Sequence, residues 1–394
     1  MSFNSTPSAE RVHIGFFGLR NAGKSSVVNA VTAQELSLVS DVKGTTTDPV
    51  RKAMELLPIG PVVIIDTPGT DDEGALGEQR VKRAMKTLDE TDIAVLVIDA
   101  EKGETQADEE LKKLITERKI PLITVYNKAD LLPAVPTAGE NTLYVSAASG
   151  TNIFELKEML GRIAADGKKE KRLIGDLLQK GDIVVLVTPI DESAPKGRMI
   201  LPQQQTIRDV LDSDAVCLVT KETQLETLLS SLPKKPRMVV TDSQAFGFVN
   251  KVVPKDIPLT SFSMLFARYK GDLFALADGA DTLDKLRDGD RVLISEGCTH
   301  HRQCNDIGTV KLPNWVSKYT GKNLVFDFTS GRDFPEDVSE YSLVIHCGGC
   351  MLNDAEISSR AKRAKVQGVP MTNYGTAIAK MHGILERAIK PLKP

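Results

Sequence analysis

The stretch Gly18-Leu19-Arg20-Asn21-Ala22-Gly23-Lys24-Ser25 follows the apolar run HIGFF, residues 13–17, and precedes the helical pattern SSVVNAVTA, residues 25–33. It fits the pattern G-x-x-x-x-G-K-S/T, whose glycines let the backbone curl so that successive N–H groups point at phosphate. Lys24 is placed to reach the β- and γ-phosphates, and the Ser25 hydroxyl is placed to ligate Mg²⁺. The stretch therefore predicts a nucleoside triphosphate site in an α/β domain.

Three later motifs complete the site and identify the nucleotide. Asp66-Thr67-Pro68-Gly69 ends a predicted strand, so that Asp66 can hold Mg²⁺ through its shell and Gly69 can offer an N–H to the γ-phosphate. Asn127-Lys128-Ala129-Asp130 ends another, and Ser146-Ala147 follows a third. The Asp130 carboxylate can accept two hydrogen bonds from guanine N1–H and N2–H₂, a pair that adenine lacks. The predicted ligand is GTP, bound by Gly18, Asn21, Ala22, Gly23, Lys24, Ser25, Ser26, Thr45, Thr46, Asp66, Gly69, Asn127, Lys128, Asp130, Ser146 and Ala147.

Residues 13 to about 160 resemble the translation-factor-like branch of the Ras-type GTPases. The resemblance implies slow GTP hydrolysis, with a first switch at residues 44–48 in which Thr46, or else Thr45, closes on Mg²⁺ and the γ-phosphate. Thr70 stands where Ras-type enzymes place a water-orienting glutamine, and Asn21 matches the asparagine that ligates K⁺ in potassium-activated relatives. We therefore expect K⁺ activation. The predicted catalytic residues are Lys24, Thr46, Gly69 and Glu78; Glu78 is a candidate for positioning water or a solvated helix carboxylate.

Composition restricts the functional class. A net charge of -3 and a pI near 6.1 disfavour a nucleic-acid partner. The N-terminal residues carry no leader pattern, and no apolar run reaches the length of a membrane span, so we expect a cytoplasmic protein without a membrane partner. Four of the five cysteines lie between residues 298 and 350, which favours metal ligands over a disulfide framework.

The order of strand and helix patterns predicts an α/β chain of three domains. Residues 1–166 form a P-loop GTPase domain with a mostly parallel Ras-like sheet. Residues 167–262 form a small α/β domain whose short apolar runs favour dimerisation. Residues 263–394 form a second α/β domain that contains the cysteines.

The cysteine pattern predicts a metal centre. Cys298-Thr299-His300 follows one predicted strand, and His346-Cys347-Gly348-Gly349-Cys350 follows another. Strand ends of one parallel sheet meet at one edge, which brings three thiols together and leaves a four-ligand site one ligand short. We favour an iron–sulfur cluster at this centre over two alternatives, a structural zinc bound by three Cys and one His, and inert buried thiols. Cys304 could add a ligand, His301 is ambiguous, and Cys217 is expected in the core.

The GTPase motifs together with C-x-H…H-C-x-x-C resemble the HydF family, the GTPases of [FeFe]-hydrogenase maturation, over nearly the whole chain. The resemblance implies a [4Fe–4S] cluster on Cys298, Cys347 and Cys350, with His300 and His346 as labile or outer groups. It implies a scaffold or carrier for the diiron subcluster of the H-cluster, which is cargo received from the radical-SAM maturases HydE and HydG and passed to apo-[FeFe]-hydrogenase. A homodimer or higher oligomer is expected.

Two other functions remain open from the sequence. The GTPase half alone also suits an RNA-modification or ribosome-assembly GTPase with a structural zinc site. The second alternative is an iron–sulfur redox sensor coupled to GTP turnover. Metal identity and RNA binding in moderate salt separate these hypotheses.

Overall fold

The N-terminal strands form one six-stranded sheet in the computed structural model, which describes residues 6–34, 49–68, 84–137, 139–167, 171–189, 199–297 and 306–393. The strands are β1 (Val12–Phe17), β2 (Val50–Leu56), β3 (Gly60–Asp66), β4 (Ile93–Asp99), β5 (Leu122–Asn127) and β6 (Thr142–Tyr144). Their order is β2-β3-β1-β4-β5-β6, and every neighbouring pair is parallel except β2 with β3. The Ras-like, mostly parallel sheet predicted from the sequence is confirmed.

Helices cover both faces of this sheet. They include α1 (Lys24–Thr32), α2 (Gln106–Glu117) and α3 (Ile153–Gly167), and residues 84–88 are also helical. All seven residues of β4 are buried, as expected for a central strand of a parallel sheet with helices on both faces. One apolar cluster joins alternate strand residues to α1 and α3, and a second joins the remaining strand residues to α2. Ligands therefore have access to the carboxyl edge of the sheet, where the strands end.

The chain divides into two compact units, residues 1–169 and 170–394. The second unit has two sheets. The first contains β7 (Ile183–Val187), β8 (Val216–Thr220), β9 (Met238–Thr241) and β10 (Leu259–Ser261), in the order β10-β9-β7-β8. The other contains β11 (Arg291–Glu296), β12 (Val325–Ser330), β13 (Leu343–His346) and β14 (Met371–Asn373), in the order β12-β11-β13-β14. All the pairings in both sheets are parallel.

The helices of the second unit lie between and around these two sheets. They are α4 (Leu201–Leu211), α5 (Leu225–Ser231), α6 (Phe246–Val252), α7 (Phe262–Lys270), α8 (Leu273–Ala280), α9 (Leu312–Thr320), α10 (Asp354–Val366), α11 (Tyr374–Met381) and α12 (Leu385–Ile389). One apolar core contains buried residues from both sheets, among them Val185 of β7 and Ile294 of β11. The two sheets therefore stabilise each other. None of the helices in the described ranges combines the length and apolar character that crossing a membrane requires.

The register of β11 against β13 positions the cysteine loop. Ser295 pairs with His346, and the Cys347 N–H donates to the Ser295 carbonyl oxygen at 2.8 Å. β11 and β13 are neighbours and run in the same direction, so Gly297 and Cys347 leave the sheet at the same edge. The sequence-based prediction that these two strand ends would meet is confirmed.

Candidate nucleotide site and cysteine centre

Two glycines give the phosphate loop its shape. Gly18 has a φ of 139°, and a Cβ added there would lie 2.1 Å from the Val97 carbonyl oxygen. Gly23 has a φ of 85°, and a Cβ there would lie 2.2 Å from Asn127 Nδ2. Since both the backbone conformation and the close neighbours exclude a side chain, these positions require glycine.

Lys24 and Ser25 begin α1 with their functional groups turned towards the loop. Lys24 is 7% exposed, and its Nζ donates to the carbonyl oxygens of Gly18 at 3.0 Å and Leu19 at 2.7 Å. The ammonium group thus lies inside the curl that holds phosphates in this motif. Ala22 is buried, Ser26 is half-buried, and Asn21 is exposed in the left-handed region with a φ of 60°.

Asp66 and Ser25 form a pair of oxygen ligands at the end of β3. Ser25 Oγ donates to Asp66 Oδ2 at 2.7 Å. Asp66 Oδ1 is buried, and no residue in the described ranges forms a hydrogen bond with it. A buried carboxylate oxygen without a partner is costly unless a cation or water meets it, and hydroxyl and carboxylate oxygens are the ligands that Mg²⁺ prefers. The residues present therefore fit Mg²⁺.

Asn127 ties the guanine end of the site to the phosphate loop. Its Nδ2 donates to the Ala22 carbonyl oxygen at 3.0 Å, and its Oδ1 accepts from the Ala147 N–H at 3.1 Å. Ser146 is fully buried, and its Oγ accepts from the Ser149 N–H at 3.1 Å. Asp130 is exposed just beyond β5, so its carboxylate is open to a base.

Lys128 is held by Asp99 at the end of β4. Lys128 has a φ of 66°, and its Nζ donates to Asp99 Oδ2 at 2.6 Å. Burial raises the pKa of Asp99, but the hydrogen bonds from Lys128 and the Glu101 N–H outweigh burial and leave that pKa below its usual value. Asp99 stays ionised, and the ion pair fixes the direction of the Lys128 side chain.

The structure thus brings the described residues that are predicted to bind phosphate, magnesium and the base to one sheet edge. Four predicted residues of the switch regions, Thr45, Thr46, Gly69 and Glu78, lie outside the described residues. Their nucleotide-binding and catalytic roles stay predictions.

Cys347 and Cys350 lie in one turn directly after β13. Cys347 Sγ accepts from the N–H groups of Gly297 at 3.0 Å and Gly349 at 3.4 Å. Gly349 has a φ of 64°, and a Cβ there would lie 2.4 Å from Ile357 Cδ1. Burial raises the pKa of the Cys347 thiol to about 11, and it raises the pKa of Cys350 as well. In the absence of metal both thiols are protonated at neutral pH, so a bound cation is what would hold them as thiolates.

His346 is buried and both of its ring nitrogens are engaged. Nε2 lies 3.0 Å from Arg360 Nη1, and Nδ1 lies 2.7 Å from the Cys347 carbonyl oxygen. Since a guanidinium can only donate, Nε2 accepts and the proton is on Nδ1. Burial, followed by the charge of Arg360, lowers the pKa of His346 to about 3, so the imidazole is neutral. This geometry places His346 as a support of the cysteine turn.

Arg360 is a residue that the sequence analysis missed. It is 3% exposed on α10, and its Nη2 donates to Glu356 Oε1 at 2.5 Å and to the Gly331 carbonyl oxygen at 2.7 Å. Its guanidinium also lies over the Phe334 ring, 5.3 Å from the centroid. The spacing of Glu356 and Arg360, four residues apart in a helical pattern, was the available signal, but such pairs are usually exposed.

A cavity of about 1110 Å³ opens beside the cysteine turn. His346, Cys347 and Gly348 form part of its wall, and Lys171, Arg172, Lys362 and Lys365 are among its basic residues. The cavity is large enough for a small-molecule or cluster ligand, and its basic groups favour an anionic one.

Cys298, the third predicted thiol ligand, lies outside the described residues, as do His300, His301 and Cys304. Among the described side chains, no three His, Cys, Asp or Glu residues gather as a metal-ligand set. Cys298 follows Gly297 in the chain, and Gly297 contacts Cys347 Sγ through its N–H. Cys217 packs against the core of its unit on β8, as predicted; burial raises its pKa to about 11.

Two protein-family models match residues of the second unit. The hydrogen maturase F dimerization domain matches residues 173–271, and the hydrogen maturase F tetramerization domain matches residues 274–391. The chain belongs to the hydrogen maturase F family. A third model, described as a 50S ribosome-binding GTPase, matches residues 13–128. The resemblance to HydF is confirmed, and the chain combines a GTPase domain with the dimerization and tetramerization domains of this family.

Individual relatives align with part of the chain. The tRNA modification GTPase MnmE of Nitrosomonas europaea is 34% identical over 160 residues, 39% of this chain and 35% of that protein. The GTPase Der of Kosmotoga olearia is 31% identical over 179 residues, 41% of this chain and 40% of that protein. The chain thus spans well under half the length of both relatives.

Solved structures also align with part of the chain. A crystal structure of Aquifex aeolicus Era, in a single-residue variant bound to GDP·AlF₄⁻, is 20% identical with a TM-score of 0.35, over 53% of this chain and 93% of that one. A probable GTP-binding protein, engB, is 23% identical with a TM-score of 0.32, over 39% of this chain and 100% of that one.

Proposed function

We propose that this HydF protein holds a [4Fe–4S] cluster on Cys298, Cys347 and Cys350 and carries the diiron subcluster of the H-cluster to apo-[FeFe]-hydrogenase. In this proposal residues 1–166 bind and hydrolyse GTP, residues 167–262 dimerise, and residues 263–394 hold the cluster. HydE and HydG supply the cargo. Cys217, Cys347 and Cys350 form no disulfide bonds in the structure, which suits a protein of the reducing cytoplasm.

The observation that supports the proposal most is the cysteine turn inside a hydrogen maturase F domain. Cys347 Sγ accepts two backbone N–H groups, one of them from Gly297, the residue that precedes Cys298. Soft sulfur ligands with N–H donors suit an iron–sulfur cluster, so the residues present fit the group that the family implies. A bound cluster would supply an iron centre with one position that cysteine does not fill. His346 would support the turn through the Cys347 carbonyl oxygen.

Delivery of the cargo is the experiment that tests the function. The purified protein, reconstituted anaerobically and loaded in the presence of HydE and HydG, is expected to convert inactive apo-[FeFe]-hydrogenase into an enzyme that evolves H₂. A Cys350→Ala variant taken through the same loading is expected to give no activity above the background. If the loaded wild type leaves the hydrogenase inactive although it carries cluster and cargo iron, the carrier role is wrong.

We also propose that K⁺ activates GTP hydrolysis through Asn21, which is exposed on the phosphate loop with its side chain open to a ligand. At equal ionic strength, hydrolysis in K⁺ is expected to exceed hydrolysis in Na⁺ by about tenfold or more, because the cation would supply part of the charge that an arginine finger supplies elsewhere. Asn21→Ala is expected to remove the difference. Equal initial rates in the two salts for the wild type would contradict the proposal.

A further inference from the structure

Lys270 is a buried cation at the carboxyl end of α7, and it contacts the cysteine turn. It is 5% exposed. Its Nζ donates to the carbonyl oxygens of Leu352 at 2.6 Å, Gly349 at 3.2 Å and Cys350 at 3.4 Å. These bonds span 79 to 82 positions of sequence, so the contact is tertiary. A buried ammonium group is retained where several acceptors surround it, and here the turn supplies them.

Two of the carbonyl groups that Lys270 binds belong to the peptide units on either side of Cys350. Burial raises the pKa of the Cys350 thiol, while the charge of Lys270 and the backbone N–H groups of Cys350 and Met351 act to lower it. The Cys350 N–H shares a peptide unit with the Gly349 carbonyl, and the Met351 N–H shares one with the Cys350 carbonyl. In a trans peptide the C=O and N–H bonds point in opposite directions. A cation at the carbonyl ends therefore holds the two N–H groups pointing away from itself, beside Cys350, and strengthens both as donors by polarisation.

We propose that Lys270 is a positioning residue for the Cys350 sulfur: its charge, passed through two peptide groups, stabilises Cys350 as a metal ligand and raises the reduction potential of the centre. The step to the potential rests on the proposed cluster, whereas the step to the sulfur holds for any thiophilic metal. Lys270 belongs to the residues that match the dimerization domain, and the turn belongs to those that match the tetramerization domain. One family domain thus supplies the counter-charge for the metal ligand of the other.

The first test uses Co²⁺ alone with the metal-free full-length chain. Anaerobic titration, followed by the sulfur-to-cobalt absorption band, is expected to show an affinity about 10- to 100-fold lower in Lys270→Met than in wild type, as for other residues that orient metal ligands. Lys270→Arg retains the charge and is expected to stay within about threefold of wild type. Lys362→Met removes an exposed lysine from the same cavity and is the matched control, with an expected change under about twofold.

The second test separates electrostatics from a purely structural role. Wild type, Lys270→Met and Lys362→Met are reconstituted with iron and sulfide, their iron contents are compared, and the midpoint potential is measured by EPR during a redox titration. Losing a positive charge disfavours the reduced cluster, so the reduction equilibrium of Lys270→Met is expected to fall at least about tenfold, which is about 59 mV for one electron. Lys362→Met is expected to keep the wild-type potential.

The outcomes of the two tests are distinct. A folded Lys270→Met variant with wild-type Co²⁺ affinity and wild-type potential overturns the role of Lys270. A wild type that takes up no iron overturns the cluster, and Lys270 is then judged by the Co²⁺ affinities alone. If Lys270→Met unfolds, the test rests on Lys270→Arg, which retains the charge. A folded Lys270→Arg variant whose Co²⁺ affinity is about 10- to 100-fold below that of wild type contradicts the proposal.

Discussion

Replacing Asp130 with asparagine is expected to lower GTP affinity by roughly three orders of magnitude and to create affinity for XTP, because a site built to hydrogen-bond a polar group strongly rejects an analogue that mispairs. Asparagine can accept from N1–H, but its amide would face the N2 amino group of guanine with donor against donor. Xanthine carries a carbonyl at that position and restores the pair. The measurement is competition of GTP and XTP against a fluorescent nucleotide, with turnover of each.

The fold should not change in this variant. Asp130 is exposed, and the substitution retains its size and shape. Glu140→Gln neutralises another exposed carboxylate of the same unit and serves as the control, with GTP preference expected to stay intact. Should Asp130→Asn keep the wild-type preference for GTP, the base would be read by other residues, and the assignment of this edge of the sheet as the guanine site would be wrong.

The nucleotide site was predictable because its residues follow the strands in sequence. Each motif stands directly after an apolar run, and runs of this kind form the buried strands of a parallel sheet. β1, β3, β5 and β6 were therefore predictable from the sequence. β2 did not: most of Val50–Leu56 is exposed, and this edge strand depends on antiparallel pairing with β3 rather than on burial. β10 was not predicted because Leu259–Ser261 contains only one apolar residue, so no apolar run marks the strand.

The cysteine centre was only partly predictable from the sequence. The strand ends that carry Gly297 and Cys347 were predictable, since strands of one parallel sheet end at a common edge. Lys270 and Arg360 were not, because nothing in a sequence distinguishes a buried cation from the exposed lysines and arginines of other helices. Lys270 binds backbone carbonyl oxygens, which carry no sequence signal of their own. Arg360 binds Glu356 and His346, whose positions in the sequence do not show that the three are buried together.

These two cations act on different parts of one turn. Arg360 contacts His346, the residue before the turn, and Lys270 contacts the carbonyls that end it. The turn is thus fixed at both ends by groups that can only donate hydrogen bonds, while the N–H groups of Gly297 and Gly349 face the Cys347 sulfur. Such an arrangement is ordered before any metal arrives, so binding there costs less conformational entropy than in a mobile loop.

Cys347→Ala is expected to reduce iron uptake on anaerobic reconstitution from about four atoms per chain to less than about one, with loss of the EPR signal of the reduced cluster. The physical reason is that a cubane already held by only three thiolates loses one of them. Iron and sulfide analysis with EPR gives the measurement. Cys217→Ala is the matched control, since Cys217 packs against the core on β8, in a different sheet from β13, and should leave iron uptake unchanged.

The identity of the metal separates this prediction from the zinc hypothesis. Zinc bound by three Cys and one His would give stoichiometric zinc, no reducible signal and a chain that loses stability on chelation. The structure bears on that outcome through His346, whose Nε2 accepts from Arg360 while its Nδ1 proton is directed at the Cys347 carbonyl oxygen. With both nitrogens used, His346 could complete a zinc site only by breaking a buried hydrogen bond. Zinc bound with His346 as a ligand would therefore contradict both the cluster and this description of the turn.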